Sequence, residues 1–315
     1  MSKTRSKENL KPVTHVKINA NMSVNELIKQ MDSSGVLGGG RLAKAVNICE
    51  SMIKDKDCKV FLGLAGPLVP GGMREILIDL IEAGWIDVVV ATGATLTHDL
   101  GEALGYSHYQ GSANASDEEL NKKGFDRVYE SYMPNEIYEG MEDFFEKNLN
   151  ELKDKKSIKD FLWKIGELTP NKSILKSCFD KKIPIFCPAI SDSGIGLMVW
   201  GQLAKGRKIE TNAFEDLKEI MDIAWTAKKA GVIYLGGGVP KNYIQQSMQL
   251  APKSAEYGVQ ITMDRPEPGG SSGAELREGI SWGKMNPKGN FVDVICDVTI
   301  ALPIVFAAVK ERVKF

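Results

Sequence analysis

The chain has 315 residues, enough for one large α/β domain or two smaller domains. Its 40 Lys and Arg residues balance 41 Asp and Glu residues. This balance argues against a general nucleic-acid-binding protein, because neutralising phosphates requires a clear basic excess. Hydrophobic residues make up 43% of the chain and charged residues 26%, which is typical of a globular protein and not of a disordered one.

The cysteines and the apolar runs indicate the cellular compartment of the protein. The five cysteines contain no CxxC pair, and three lie in apolar runs, so we expect a reducing environment. The longest apolar run, residues 300–309, is interrupted by Pro303 and is far shorter than the roughly 20 residues that cross a bilayer. No hydrophobic segment follows the basic start of the chain, as a secretory signal requires. We expect a cytoplasmic protein with a flexible basic arm over residues 1–20.

Six short apolar runs predict the strands of a sheet. They lie at residues 59–62, 86–90, 183–186, 232–235, 259–262 and 292–295. Each run is apolar on both faces, as in parallel strands that helices cover on both sides. Helical patterns at residues 41–53, 214–229 and 300–312 accompany them. This alternation predicts an α/β fold with a doubly wound, mainly parallel sheet and helices on both faces.

Residues 117–182 differ in composition from the rest of the chain, being rich in Lys, Asp, Glu and Asn. Their amphipathic patterns are typical of helices that pack beside a sheet. We therefore expect a helical excursion over about residues 117–182 within a single domain that spans residues 21–315.

Glycines and short polar residues follow every predicted strand: residues 63–66, 92–95, 192–196, 236–238, 269–273 and Asp297. The carboxyl ends of parallel strands share one edge of a sheet, where open α/β folds bind ligands. One such cluster is typical of an ordinary turn, but six favour a nucleotide-type cleft. His98 follows one of these strand ends. It could face the cleft, but such a histidine is more often a polar loop residue. The three histidines have no ligand spacing, so no metal is expected.

Residues 275–284 bring chemistry-bearing side chains together. Glu278, Trp282 and Lys284 lie within seven residues, next to a glycine-rich stretch. A neutral lysine can form an imine, and a tryptophan can bind an alkylammonium through cation–π attraction. Judged by residue type alone, a surface lysine and a core tryptophan are the commoner explanation.

The sequence Ser281-Trp282-Gly283-Lys284, with residues 236–239 before it and residues 293–297 after it, resembles the deoxyhypusine synthase family. The resemblance covers roughly residues 22–312 in element order. It implies NAD-dependent transfer of a 4-aminobutyl group from spermidine through a lysine imine. In the best-known case the acceptor is a lysine of the translation factor 5A precursor. The resemblance also implies a single doubly wound domain and a homotetramer.

The resemblance assigns roles residue by residue. Lys284 is the covalent catalyst, and Glu278 and Trp282 hold the polyamine. Asn242 and Ser271 belong to the substrate channel. The residues expected to bind NAD are Asp192, Asp297, Gly237, Gly238, Thr92, Gly93 and Gly66.

The sequence departs from the family at amine-binding positions. Leu197 replaces a second acidic residue, Asn242 replaces a histidine and Ser271 replaces an aspartate. These changes leave open transfer to putrescine, as in homospermidine synthesis, or to another small amine. Two alternatives of other classes are a non-catalytic NAD-binding regulatory paralogue and a dehydrogenase that releases an aldehyde. The presence of Lys284 argues against the regulatory paralogue.

Overall fold

The structure is a computed structural model of the chain, and it describes residues 10–313. Residues 10–20 are exposed, and residues 10–19 form neither helix nor strand. The first nine residues of the expected arm lie outside the described residues. The boundaries of the arm and of the single domain stay predictions.

A six-stranded parallel sheet forms the centre of the fold. Numbered along the chain, its strands are β1 (Cys58–Leu64), β2 (Val88–Ala91), β6 (Ile185–Phe186), β7 (Lys229–Leu235), β8 (Ala255–Thr262) and β9 (Met285–Ile295). Their order across the sheet is β6-β2-β1-β7-β8-β9. Counted along the chain this is 3-2-1-4-5-6, the order of dinucleotide-binding folds, which bind ligands where the order reverses. That point lies between β1 and β7.

Both faces of the sheet are buried. Adjacent residues on a strand point to opposite faces, and adjacent residues of β1 and β7 belong to two different buried clusters. Leu62 and Leu235 belong to one cluster, whereas Phe61 and Tyr234 belong to the other. This explains why the strands read as continuous apolar runs in the sequence.

Helices supply the two covering layers. They are α1 (Val24–Ser34), α2 (Leu37–Lys54), α3 (Arg74–Glu82), α4 (Gly93–Ala103), α5 (Asp117–Lys122), α6 (Glu136–Leu152), α7 (Ile158–Leu168), α8 (Ile174–Lys181), α9 (Gly194–Ala204), α10 (Ala213–Thr226), α11 (Gly238–Leu250) and α12 (Val298–Arg312). A 3₁₀ helix spans Leu276–Ile280. Helices α2 and α12 contribute to one buried cluster, and α10 and α11 to the other. The predicted fold class is confirmed.

The structure corrects two local expectations. The helix expected over residues 214–229 ends at Thr226, because residue 229 already begins β7. Within the expected helical excursion, β4 (Phe125–Val128) and β5 (Ser131–Pro134) pair with β3 (Tyr109–Gln110) in a small antiparallel sheet. These strands are short and mostly not buried, so the apolar alternation that marks a strand is weak.

The rest of the excursion is helical and packs with the sheet. Side chains of α6, α7 and α8 share one buried cluster with side chains of β1. In the part of the chain that the structure describes, no helix is both long and apolar enough to cross a membrane.

Candidate active site

The first candidate site is a cavity of about 480 Å³ around Lys284, here called the lysine pocket. It brings together the five residues predicted for catalysis and substrate binding: Lys284, Glu278, Trp282, Asn242 and Ser271. The Nζ atom of Lys284 lies 4.9 Å from the centroid of the Trp282 ring, within the range of cation–π attraction. An ammonium ion or an alkylammonium substrate suits this arrangement.

Four segments build the lysine pocket. Asn242 comes from α11, Ser271 from the loop before the 3₁₀ helix, and Glu278 from the 3₁₀ helix itself. Lys284 directly precedes β9. The Asp293 carboxylate on β9 fixes the start of the 3₁₀ helix, because it accepts the Leu276 N–H at 3.0 and 3.2 Å.

The lysine pocket also carries two carboxylate groups. The carboxylates of Glu275 and Glu278 both line it. Carboxylates are natural partners of ammonium groups, since a charge-assisted hydrogen bond is roughly twice as strong as a neutral one. The geometry can therefore hold a cationic chain beside Lys284.

Sequence reasoning missed Lys241, a buried residue of the same pocket. Its Nζ donates to the carbonyl oxygens of Ser271 at 2.7 Å and Ala274 at 2.6 Å. Burial lowers the pKa of Lys241 to about 8. Only its position after a glycine-rich turn could have drawn attention, because most lysines are exposed.

A second cavity, of about 410 Å³, lies at the carboxyl ends of β1, β2 and β6 and is here called the strand-end cleft. Four residues predicted to bind NAD line it: Gly66, Thr92, Gly93 and Asp192. The Thr92 hydroxyl caps α4 by accepting the Thr95 N–H at 3.2 Å. The first residue of α11 after its glycine, Val239, also lines this cleft.

The other predicted cofactor residues lie around this cleft. Gly237 and Gly238 follow β7, and Gly238 N–H donates to the Ser272 hydroxyl at 2.9 Å. Asp297 lines a neighbouring cavity of about 600 Å³, which shares Pro67 and Val128 with the strand-end cleft. Its carboxylate accepts the Thr299 N–H at 2.7 Å and so caps α12.

The residues of the strand-end cleft fit a dinucleotide cofactor. Gly66 has a φ of +83° and faces open space, so the backbone there leaves room for a ligand to approach. A β-carbon on Gly93 would lie 2.4 Å from the Ser193 β-carbon, so a side chain has no room there. The N-terminus of α4 attracts anions, and the Asp192 carboxylate can accept ribose hydroxyls.

Two sequence expectations about individual residues change. His98 does not lie in a loop but in the middle of α4, and its Nδ1 lies 2.9 Å from His108 Nε2. Leu197 lies on α9 with 52% of its surface exposed and lines neither the lysine pocket nor the strand-end cleft.

Comparison with known proteins identifies the family of the chain. The family profile described as "Deoxyhypusine synthase" matches residues 26–309. The chain is 45% identical over 305 residues to "Probable deoxyhypusine synthase 1" of Methanosarcina acetivorans, covering 96% of each protein. It is 38% identical to the protein of the same name from Archaeoglobus fulgidus, covering 95% of this chain and 98% of that protein. The chain belongs to the deoxyhypusine synthase family, and membership implies a transferase.

A solved structure supports the fold. A protein assigned as a deoxyhypusine synthase, from Entamoeba histolytica, superimposes with a TM-score of 0.63 at 17% sequence identity. The match covers 94% of this chain and 96% of that one. The parallel sheet and its helical layers therefore recur in that structure.

Proposed function

We propose that the protein transfers the 4-aminobutyl group of spermidine to an acceptor amine, with NAD as cofactor and an imine on Lys284 as intermediate. The observation that carries this proposal is the lysine pocket. There Lys284 lies beside the Trp282 ring and shares a cavity with the Glu278 carboxylate. The proposed acceptor is a lysine of the translation factor 5A precursor.

NAD would be held in and around the strand-end cleft by Gly66, Thr92, Gly93, Asp192, Gly237, Gly238 and Asp297. When bound, NAD would supply two-electron chemistry, taking up a hydride from the carbon beside the secondary amine of spermidine and giving it back to the imine that the acceptor forms. The capped N-terminus of α4 and the Asp192 carboxylate are the groups of this chain that would orient it.

Lys284 carries the covalent step. Its Nζ forms a bond to the imine carbon of the oxidised polyamine, an Nζ proton passes to the leaving nitrogen, and the bond from that carbon to the leaving nitrogen breaks, releasing 1,3-diaminopropane. The butylamine fragment then remains as an imine on Nζ. Glu278 holds the distal ammonium of the fragment, and Trp282 covers its chain. The acceptor amine then bonds to the same carbon as the bond to Nζ breaks, which frees Lys284 and leaves an imine between the fragment and the acceptor.

Trapping the imine tests this proposal. The protein is incubated with NAD and spermidine, reduced with borohydride and weighed intact, and the adduct is mapped by peptide analysis. We expect a mass gain of one butylamine group on Lys284 that requires NAD. The Lys284→Arg variant should show no adduct, whereas the exposed control Lys288→Arg should match the unmodified protein. An adduct at another lysine, or turnover by Lys284→Arg, would refute the role of Lys284.

Transfer of the butylamine group from the unreduced imine enzyme identifies the acceptor. Asn242 and Ser271 give the lysine pocket neutral side chains where the family carries charged or titratable ones, which favours a small amine as a second candidate acceptor. Before reduction, the imine enzyme is offered the translation factor 5A precursor or putrescine. Loss of the adduct with the protein alone supports deoxyhypusine synthesis, and loss with putrescine supports homospermidine synthesis. Bound NAD with no adduct supports the regulatory paralogue.

We also propose that the protein assembles as a homotetramer. Helix α9 presents apolar side chains at three-residue spacing: Leu197, Trp200 and Leu203 are 52%, 65% and 49% exposed. A second copy that covered this face would remove it from water. Light scattering should give about four times the chain mass of 34.6 kDa, and a monomer would refute the assembly.

A further inference from the structure

A continuous hydrogen-bonded chain of three side chains begins in the strand-end cleft. His98 Nδ1 lies 2.9 Å from His108 Nε2, and His108 Nδ1 lies 2.8 Å from Glu102 Oε1. His98 and Glu102 are four residues apart on α4, so they lie on the same face of the helix. His108 follows the helix and bridges them.

The chain fixes the tautomers of both histidines. A carboxylate accepts hydrogen bonds and cannot donate them, so His108 Nδ1 donates to Glu102. In a neutral ring the other nitrogen, His108 Nε2, is then an acceptor, and His98 Nδ1 must donate to it. His98 Nε2 is left with a free lone pair. Glu102 therefore orients two imidazoles in series, and the basic nitrogen of the second belongs to a residue that lines the cleft.

The three side chains connect two cavities. His98 lines the strand-end cleft, together with Thr92 and Asp192. His108 and Glu102 line the neighbouring cavity, together with Asp297. The side chain of His108 is 5% exposed and that of Glu102 is 24% exposed. A proton taken up at His98 can thus pass from the strand-end cleft to the neighbouring cavity.

The electrostatics favour moving the charge away from His98. Burial, with a smaller contribution from His108, lowers the pKa of His98 to about 4. A proton on His108 instead lies 2.8 Å from a carboxylate oxygen. The other charged side chains facing the chain are Arg74, whose Nε is 3.6 Å from Glu102 Oε2, and the cavity-lining residues Asp192, Glu130 and Asp297.

We propose that His98, His108 and Glu102 form a proton relay that deprotonates the secondary ammonium of a polyamine that reaches from the lysine pocket into the strand-end cleft. The two cavities meet the first turn of α11, where Asn242 lines the lysine pocket and Val239 lines the strand-end cleft. This inference rests on the proposed function, in which the secondary ammonium of the polyamine must become a neutral amine before the adjacent carbon can lose a hydride. The N–H bond of the ammonium breaks, and its proton binds His98 Nε2. The Nδ1 proton of His98 passes to His108 Nε2, so the positive charge rests on His108 beside Glu102.

The tautomers provide a test that does not depend on activity. The chain has three histidines, so selective ¹⁵N-histidine labelling gives few signals, and the variants His98→Gln and His108→Gln assign them. At pH 7.5 we expect a proton on Nδ1 of each ring and none on Nε2 of His98. A proton on Nε2 of His98, or a charged His98 ring, would overturn the relay.

A first-turnover measurement tests the relay in the working enzyme. Enzyme loaded with NAD is mixed with spermidine, and reduced cofactor is followed by absorbance. We expect His98→Gln and His108→Gln to slow its formation by about 100-fold or more at pH 7.5, the scale of general-base catalysis. The exposed control His15→Gln should react like the unmodified protein. Each variant is loaded with saturating NAD, so a change in cofactor affinity does not alter the measured rate.

The pH dependence separates a relay from a structural role. Near pH 10, close to the ordinary pKa of an aliphatic amine of about 10.4, much of the spermidine arrives neutral, so the deficit of His98→Gln should shrink at least tenfold. An equal deficit at all pH values, or an unchanged rate in His98→Gln, refutes the relay. If the unmodified enzyme forms neither reduced cofactor nor the Lys284 adduct, the proposed function fails, and the relay fails with it.

Discussion

Lys241 shows how a buried cation can shape a binding pocket without touching the reacting atoms. Its Nζ holds two backbone carbonyls of the segment that carries Ser271. Lys241→Met keeps most of the apolar stem but removes this donor from the Ser271 carbonyl, which costs about 1–3 kcal/mol if the group stays buried and unpaired. The Ala274 carbonyl keeps a donor, because it also accepts from Gln260 Nε2 at 3.1 Å. We expect weaker spermidine binding and unchanged NAD binding, both measured by calorimetry. The exposed control Lys288→Met should change neither, and equal spermidine affinity in the two variants would contradict this role.

Gly237 is a second residue that its immediate surroundings require, because a side chain there has no room. A β-carbon there would lie 2.5 Å from the Ser272 Cα, so the backbone of the neighbouring segment would have to move. We expect Gly237→Ala to lose about 1–3 kcal/mol of unfolding free energy, as in other overpacked sites. Gly270→Ala is the matched control, because its β-carbon would meet no atom within 4 Å. Urea denaturation measures the unfolding free energy of both variants. Equal stability of the two would show that Ser272 moves aside without a cost in stability.

Among the helices, one buried carboxylate joins three of them. Asp99 on α4 is fully buried, and it accepts from Arg74 Nε on α3 at 2.9 Å. It also accepts the N–H groups of Ile174 and Leu175 at 3.0 and 3.1 Å, which begin α8. Removing one partner of a buried ion pair leaves an uncompensated charge.

Asp99→Asn should therefore destabilise the protein by about 3–5 kcal/mol. Glu75→Gln is the control, since it removes a 69% exposed carboxylate from the same arginine and should cost less than about 1 kcal/mol. Urea denaturation of both variants checks the difference. A small effect of Asp99→Asn would mean that Arg74 reaches another carboxylate, and Glu102 at 3.6 Å is the candidate.

The strands also show which parts of the fold can be predicted from sequence patterns alone. The six buried strands could be predicted because each is apolar on both faces. The antiparallel sheet of β3, β4 and β5 could not, because its residues are mostly not buried and Asp126 and Arg127 interrupt any apolar alternation. Its pairing depends on contacts between segments, with Tyr129 turning the chain at a φ of +56° between β4 and β5.

At the scale of the whole molecule, the parallel sheet determines which site residues can be predicted from the sequence to lie together. Residues at the carboxyl ends of parallel strands must share an edge, so Gly66, Thr92 and Asp192 could be grouped from the sequence. Lys284 and Trp282 could be paired because they are two residues apart. The contact between His98 and His108 could not be predicted, since it depends on the turn after α4. The burial of Lys241 could not be predicted either, because the segment around Ser271 that covers it is distant in the sequence.

Two buried groups on different parts of the molecule should oppose each other in acid. Burial raises the pKa of Asp216 from 3.8 to about 6, and its carboxylate accepts the Lys159 N–H at the start of α7. The native state therefore holds more protons at Asp216 than the unfolded chain does, so this group stabilises the fold as pH falls through 6. His98, with its pKa lowered from 6.5 to about 4, binds protons more readily in the unfolded chain and destabilises the fold over the same window.

Each effect is on the order of 2 kcal/mol between pH 7.5 and pH 4.5, because one pKa unit corresponds to about 1.4 kcal/mol. Urea denaturation at the two pH values separates them. Asp216→Asn removes the stabilising contribution, so it should lose more stability on acidification than the unmodified protein. His98→Gln removes the opposing one and should lose less. Glu118→Gln, which alters an 80% exposed side chain, should follow the unmodified protein. If the two buried-site variants also followed it, neither group would link folding to pH in this range.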